Sequence, residues 1–196
     1  MPRGPRLIPE NGIFHITIRG NNKRRIFYKE REFRYFKDLI LRYKKKFKFL
    51  LYHYALMKNH IHFCIHATEK TNISKMMQGL QLAYFHYHRK RYKYVGHLYQ
   101  GRFKSKVIET DEYLLACGLY IEKNPVESNV VNDPVNYPWS SYRYYVLGEK
   151  DPLVDPSPIY NELGKYAEER KARYKELMKL RLEEARATKE MQLVVH

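Results

Sequence analysis

Cysteine is scarce in this 196-residue chain, which holds only Cys64 and Cys117. Two cysteines cannot build a disulfide framework or a cysteine-based zinc site, so we expect a reducing compartment. No apolar run approaches the roughly 18–20 residues that a membrane span requires. The opening residues, MPRGPRL, also lack the apolar stretch of a signal peptide. The sequence therefore predicts a cytoplasmic protein with no membrane partner.

Acidic residues are rare in the first 110 residues, which hold 6 Asp and Glu against 25 Lys and Arg. Residues 111–196 hold 15 against 12, and the formal net charge of the whole chain is +16. So large an excess indicates an anionic partner. Basic residues interleaved with aromatic rings suit single-stranded or looped nucleic acid. A membrane surface and a merely solvated basic face are the alternatives, and no clean basic amphipathic stretch favours the membrane.

Hydrophobic periodicity predicts alternating strands and helices. We expect strands at 12–19, 49–57, 60–66 and 103–109, and helices at 30–47, 72–92, 111–123 and 160–190. A hairpin around Lys58-Asn59 implies an α+β fold, with an antiparallel sheet covered by helices on one face. Residues 139–147 form a short aromatic segment. The predicted organisation is a domain over 1–147, a linker over 148–159 and a helical extension over 160–196.

A His-x-His pair lies in the third predicted strand. Residues two apart on a strand point to the same face, so His60 and His62 project together and are close enough to share one metal ion. Cys64 and His66 continue this face. His66 is about 20 Å from His60 along an extended strand, so all four cannot form one chelate. A structural or exposed role for the pair is the alternative.

Tyr120 and Asn124 are four residues apart near the end of a predicted helix, so both lie on one helical face. A phenol and a carboxamide on that face could approach a metal held by the two histidines. The alternative is that Tyr120, one of 19 tyrosines, packs the helix and that Asn124 only terminates it.

Five sequence blocks, spanning about residues 8–147, resemble the single-tyrosine HUH transposases of bacterial insertion sequences, and more closely the REP-associated tyrosine transposases. The blocks are FHITIRGNN from Phe14, YALMKNHIH from Tyr54, GHLYQGRFKS from Gly96, YLLACGLYIEKNPV from Tyr113 and WSSY from Trp139. Glu122-Lys123 departs from the more usual His-Leu, and Glu127-Ser128-Asn129 departs from the common Arg-Ala-Gly. These departures concern peripheral contacts. The resemblance implies a ferredoxin-like HUH endonuclease fold and a place in the bacterial cytosol or nucleoid.

The resemblance also implies a reaction on single-stranded or hairpin DNA. Tyr120 would attack a backbone phosphorus to give a 5′-phosphotyrosine and a free 3′-OH, and Lys123 is a candidate for activating the phenol. His60, His62 and Asn124 would hold a divalent metal, Mg²⁺ or Mn²⁺. The expected DNA-binding residues are His15, Arg19, Arg24, Arg25, Arg89, Arg91, Arg102 and Lys104. Relatives act as monomers or homodimers, and both states are open here.

Two other functions fit part of the sequence. A protein derived from such a transposase could bind DNA or RNA hairpins without cleaving them, although the presence of all four site residues argues against this. A replication initiator or relaxase-like HUH nuclease is a third candidate. The short chain, the single candidate tyrosine and the lack of a helicase region disfavour it.

Overall fold

A four-stranded antiparallel sheet organises the molecule, which the computed structural model describes over residues 11–194. The strands are β1 (Gly12–Arg19), β2 (Leu50–Leu56), β3 (His60–Ala67) and β4 (Lys104–Ile108). Their order across the sheet is β2-β3-β1-β4, and every neighbouring pair is antiparallel. The predicted hairpin is confirmed, because β2 and β3 pair directly across Lys58-Asn59. The α+β fold class is confirmed as well.

Six α-helices accompany the sheet in the described residues. They are α1 (Glu30–Phe47), α2 (Ile73–Tyr92), α3 (Asp111–Glu127), α4 (Tyr142–Leu147), α5 (Pro158–Glu162) and α6 (Ala167–Val194). Side chains cap two of these helices at the N-terminus, since the Asn72 side chain accepts from Lys75 N–H and the Thr110 side chain accepts from Tyr113 N–H. Both bonds satisfy a backbone donor that a helix start leaves unpaired.

Helices cover both faces of the sheet, so the prediction of one covered face was wrong. Phe14, Ile16 and Ile18 of β1 point into the large core shared with α1 and α2. The opposite face packs against α3 in a smaller core of Tyr52, Ala55, Cys64, Ile108, Leu114, Cys117 and Ile121. Local periodicity shows which residues are apolar, but it does not show from which side a distant helix approaches.

Helix α3 runs through Pro125 to Glu127, whereas the sequence predicted an end near Lys123. Proline removes one backbone donor and disfavours helical backbone at the preceding residue. The helix nevertheless continues, because Ser128 N–H bonds to the Asn124 carbonyl and Val130 N–H bonds to the Pro125 carbonyl. Asn124 therefore lies within the helix, where its side chain is held in a defined direction.

The C-terminal region holds two helices, α5 and α6, and the prediction of one helix over 160–190 was wrong. The helical structure is interrupted at residues 163–166. There Lys165 N–H donates to Glu169 Oε2 at 2.9 Å, and Arg170 Nη1 donates to the Gly164 carbonyl at 3.1 Å. Residues 148–157 lie against α1 through two ion pairs, Lys37–Asp151 at 3.0 Å and Lys44–Asp155 at 2.6 Å. The division into domain, linker and extension stays a prediction.

Residues 139–147, expected as a short aromatic segment, contain α4 from Tyr142 onward. Across residues 11–194, no helix has both the length and the apolar character of a membrane span.

Candidate active site

Two neighbouring strands place four polar side chains on the α3 face of the sheet. The antiparallel register pairs Thr17 with His62 and Arg19 with His60, and His15 lies two residues before Thr17 on β1. Because side chains alternate along a strand, His15, Thr17, His60 and His62 share this face. The rings of His60 and His62 lie 5.1 Å apart between centroids. The prediction that His60 and His62 point to the same face of their strand is therefore confirmed.

Helix α3 brings Tyr120 and Asn124 over these histidines. The Tyr120 ring lies 5.7 Å from the His15 ring and 5.7 Å from the His62 ring, each time edge-on. Asn124 is almost fully buried, and its Nδ2 donates to the Tyr120 carbonyl at 2.7 Å. Tyr120 itself is 41% exposed, so part of this residue is open to solvent. The residues predicted from the third strand and from the helix thus meet within one chain.

The chemistry of the donors fits a divalent ion at His60, His62 and Asn124. His60 Nε2 and Asn124 Oδ1 lie 3.5 Å apart, close to the roughly 3.0–3.5 Å between two donors bound to one ion at about 2.0–2.2 Å. His60 Nδ1 lies 2.7 Å from Asn59 Oδ1, which fixes the proton on Nδ1 and leaves Nε2 as the ligand atom. In residues 11–194 no group of three His, Cys, Asp or Glu could hold a metal, so a third protein ligand here would be of another residue type, and the Asn124 amide beside His60 is the candidate.

His15 forms a hydrogen bond with His62, His15 Nε2 to His62 Nδ1 at 2.9 Å. Thr17 Oγ1 lies 3.5 Å from the same His62 nitrogen. In the tautomer that carries the proton on His62 Nδ1, the Nε2 lone pair is free for a metal. Burial, and to a lesser extent the neighbouring basic side chains, lowers the pKa of His62 to about 3. Neutral imidazole is the form that binds metal ions.

Charges around Tyr120 act in both directions on its phenol. Burial raises the pKa of Tyr120, and Glu127 raises it further, whereas Arg19 and the Asn124 amide lower it. Lys123, the predicted activator, forms an ion pair with Glu127 at 2.8 Å, and its Nζ lies 5.8 Å from the centre of the Tyr120 ring. The positive charge of Lys123 is therefore largely offset by Glu127. Arg19 is the cation that favours the phenolate.

The eight predicted DNA-binding residues fall into three groups. His15 and Arg19 belong to the site itself. Exposed positions on other elements are occupied by Arg24, Arg25, Arg89, Arg102 and Lys104. Arg91 differs, because its Nε lies 4.0 Å from Glu32, a buried carboxylate of α1. Arg91 of α2 thus pairs with a carboxylate of α1.

Three further residues of the site had no assigned role in the sequence prediction. Asn59 and Thr17 lie inside recognised blocks, and the structure shows that they contact the two histidines. Glu122, treated as peripheral, is completely buried behind α3. The sequence signal that could have identified Glu122 is its position between Tyr120 and Asn124 on the same helix.

A groove with a volume of about 1250 Å³ runs between α2 and the loop at 97–103. Its lining includes Gln78, Gln81, Leu82, Phe85, Gln100 and Arg102. The loop is joined to the end of β1, since Gln100 N–H donates to the Arg19 carbonyl at 2.8 Å. The residues that line the groove do not include Arg19, His60, His62 or Tyr120.

Comparison with known proteins gives the family, and with it a class of DNA-processing protein. A family model described as "Transposase IS200 like" matches residues 10–124, which is more than half of the chain. The chain belongs to the IS200-like transposase family. A search of curated proteins found no match.

Two solved structures are similar to this chain to different degrees. A REP-associated tyrosine transposase bound to a REP hairpin is 17% identical, with a TM-score of 0.65 over 80% of this chain and 93% of that chain. A protein assigned to the transposases from Deinococcus radiodurans R1 is 16% identical, with a TM-score of 0.43 over 63% of this chain and 97% of that chain. At this identity the first of these confirms the fold.

Proposed function

We propose that this transposase cleaves and rejoins single-stranded DNA beside a hairpin, through a covalent 5′-phosphotyrosine on Tyr120. The observation that carries the proposal is the position of the Tyr120 ring, 5.7 Å from His62 of the same chain and accessible to a polymer. Family membership supports strand transfer as the reaction. The hairpin substrate is inferred from the structural neighbour that was solved with a REP hairpin.

Tyr120 would supply the nucleophile for a two-step transfer. Its Oη forms a bond to the scissile phosphorus, the bond from phosphorus to the 3′-oxygen breaks, and the phenolic proton ends on that oxygen through solvent. The phosphotyrosyl ester preserves the phosphodiester energy, so a 3′-OH can reverse the step and join two strands without ATP. Arg19 favours this attack because its charge stabilises the phenolate.

His60, His62 and Asn124 would hold Mg²⁺ or Mn²⁺ at this position. Such an ion polarises a non-bridging phosphate oxygen and neutralises developing charge. Asn59 and His15 keep the two imidazoles oriented, and Asn124 links this ligand set to α3. Mixed nitrogen and oxygen donors suit Mn²⁺, whereas Mg²⁺ prefers oxygen.

The groove beside α2 supports binding of an unpaired strand. Leu82 and Phe85 offer apolar surfaces on which bases can stack, and Gln78 and Gln81 offer amides that can pair with base edges. Exposed arginines and lysines around it can neutralise phosphates. A strand lying in the groove would contact the loop whose Gln100 N–H bonds to the Arg19 carbonyl.

The test is covalent adduct formation with hairpin oligonucleotides that carry single-stranded flanks, in the presence of Mn²⁺ and on a denaturing gel. Wild-type protein should form an adduct that migrates with both protein and DNA labels, and Tyr120→Phe should form none. Tyr113→Phe is the matched control on the same helix and should react like the wild type. An adduct that persists in Tyr120→Phe would contradict the proposal.

Hairpin binding without cleavage is the competing function. Tight hairpin binding by the wild-type protein, with no metal-dependent cleavage across a broad hairpin library, would favour it over strand transfer.

A further inference from the structure

Glu122 is a completely buried carboxylate, two residues beyond Tyr120 and on a different side of α3. Its Oε1 accepts from His53 Nδ1 at 3.0 Å and from Ser141 Oγ at 2.5 Å. Its Oε2 accepts from the Tyr174 hydroxyl at 2.8 Å. Three donors therefore converge on the two oxygens of one carboxylate, which can accept all of them.

The three donors come from separate parts of the chain. His53 belongs to β2, Ser141 directly precedes α4, and Tyr174 lies in the N-terminal part of α6. The Glu122 carboxylate therefore ties the helix that carries Tyr120 to the sheet and to the C-terminal helix. A buried carboxylate oxygen that loses its donor is costly, so the helix would shift to regain a partner.

Helix α3 also rests directly on the His53 ring. A Cβ atom at Gly118 would lie 2.7 Å from His53 Cε1 and Nε2, so only glycine allows this approach. The His53 ring stacks on Tyr145 at 4.6 Å, and Tyr145 lies 5.1 Å from Tyr174. These contacts place the buried side of α3 against β2 and the aromatic cluster that contains Tyr174.

We propose that Tyr174 is a positioning residue for strand transfer, which acts through Glu122 to hold α3 over the histidines of its own chain. Tyr120 and Asn124 lie on either side of Glu122 along this helix, so a shift of Glu122 moves both. The C-terminal helix is thereby part of the catalytic unit. The proposal rests on the proposed role of Tyr120 as nucleophile.

Tyr160 provides a matched control for Tyr174. Both hydroxyls donate in the same aromatic cluster, since Tyr160 OH bonds to the Tyr145 carbonyl at 2.8 Å and the two rings lie 5.6 Å apart. Each Phe variant deletes one buried hydroxyl and keeps the ring. Only Tyr174→Phe removes a donor from Glu122, so a difference between the variants reports on positioning rather than on general packing.

The first measurement is the single-turnover rate of adduct formation at saturating hairpin DNA, together with hairpin affinity. Tyr174→Phe should lower the rate by roughly tenfold to a hundredfold, as a displaced nucleophile does, while hairpin affinity stays unchanged. Tyr160→Phe should retain the wild-type rate. Glu122→Gln combined with Tyr174→Phe should be no slower than the slower single variant, because both act on one network.

The second measurement is amide hydrogen exchange, which needs no reaction. Tyr174→Phe should accelerate exchange in α3 and leave β1 and β3 unchanged. Equal effects of Tyr174→Phe and Tyr160→Phe on rate and exchange, or a uniform rise in exchange along the chain, would overturn the inference. If the wild-type protein forms no adduct, the proposed function fails, and the exchange pattern alone decides whether Tyr174 positions α3.

Discussion

His15 Nε2 and His62 Nδ1 lie 2.9 Å apart across the pair of strands β1 and β3. This bond engages His62 Nδ1, so Nε2 is the nitrogen of that ring that would bind a metal. His15, expected from the sequence as a contact to DNA, is thus also the residue that holds a proposed metal ligand in place.

Replacement of His15 by alanine should weaken metal binding while the fold is retained. Loss of such an outer partner typically lowers metal affinity by roughly tenfold to a hundredfold. Mn²⁺ titration followed by electron paramagnetic resonance measures this affinity directly. His86→Ala, which changes an exposed histidine on α2, should bind like the wild type, and equal affinity for His15→Ala would refute the orienting role.

Two charge substitutions should move the pH dependence of cleavage in opposite directions. Arg19 lowers the pKa of Tyr120 and Glu127 raises it. Arg19→Gln should therefore raise this pKa and shift the rising limb of the rate to higher pH. Glu127→Gln should lower it and shift the limb to lower pH, also because Lys123 loses its ion-pair partner.

Single-turnover rates at saturating DNA across a pH series measure both shifts. Arg42→Gln, an exposed change on α1, is the control for overall charge. Shifts of the same sign for Arg19→Gln and Glu127→Gln would show that the Tyr120 phenol does not set the profile.

Much of the site follows from local rules of the sequence. Alternation along a strand placed His60 and His62 on one face of that strand, and helical spacing placed Tyr120 and Asn124 on one face of a helix. The sequence blocks that resemble the transposase family then indicated that these two faces meet. The sequence also predicted β1 and β3 as strands. Each of them carries β-branched or aromatic residues at every second position.

Contacts between distant segments could not be predicted in the same way. Periodicity does not reveal that α3 covers the second face of the sheet, or that Tyr174 reaches Glu122 across 52 positions of sequence. Pro125 misled the prediction of the helix end, because the local cost of proline is outweighed by bonds and packing on either side. The break before α6 depends on side-chain bonds from Glu169 and Arg170 that composition alone does not show.

Alanine at Gly118 should destabilise the protein, because its methyl group would press on the buried His53 ring. Overpacking of this kind costs about 1–3 kcal/mol. Gly79→Ala is the matched control, since its new methyl group meets only the outer end of the Tyr43 side chain, which is partly exposed and can move. Urea unfolding should give a clearly lower free energy of unfolding for Gly118→Ala than for Gly79→Ala. Equal free energies would mean that the approach of α3 to His53 is not tight.

Mixing two inactive variants should not restore activity. Tyr120 lies over His62 of its own chain, so a mixture of Tyr120→Phe with His62→Ala contains no complete site in any single chain. Adduct formation by the mixture, measured against each variant alone, should stay at background. Recovery of adduct in the mixture would show that the tyrosine acts on a neighbouring subunit.

The role of Tyr120 as nucleophile is decided by the identity of the residue that becomes linked to DNA. Wild-type protein is trapped on a hairpin oligonucleotide, digested with nuclease and protease, and examined by peptide mass spectrometry. The account predicts one modified peptide that carries a 5′-linked nucleotide on Tyr120. A nucleotide on any other residue, or cleaved DNA with no covalent linkage to the protein, would contradict it.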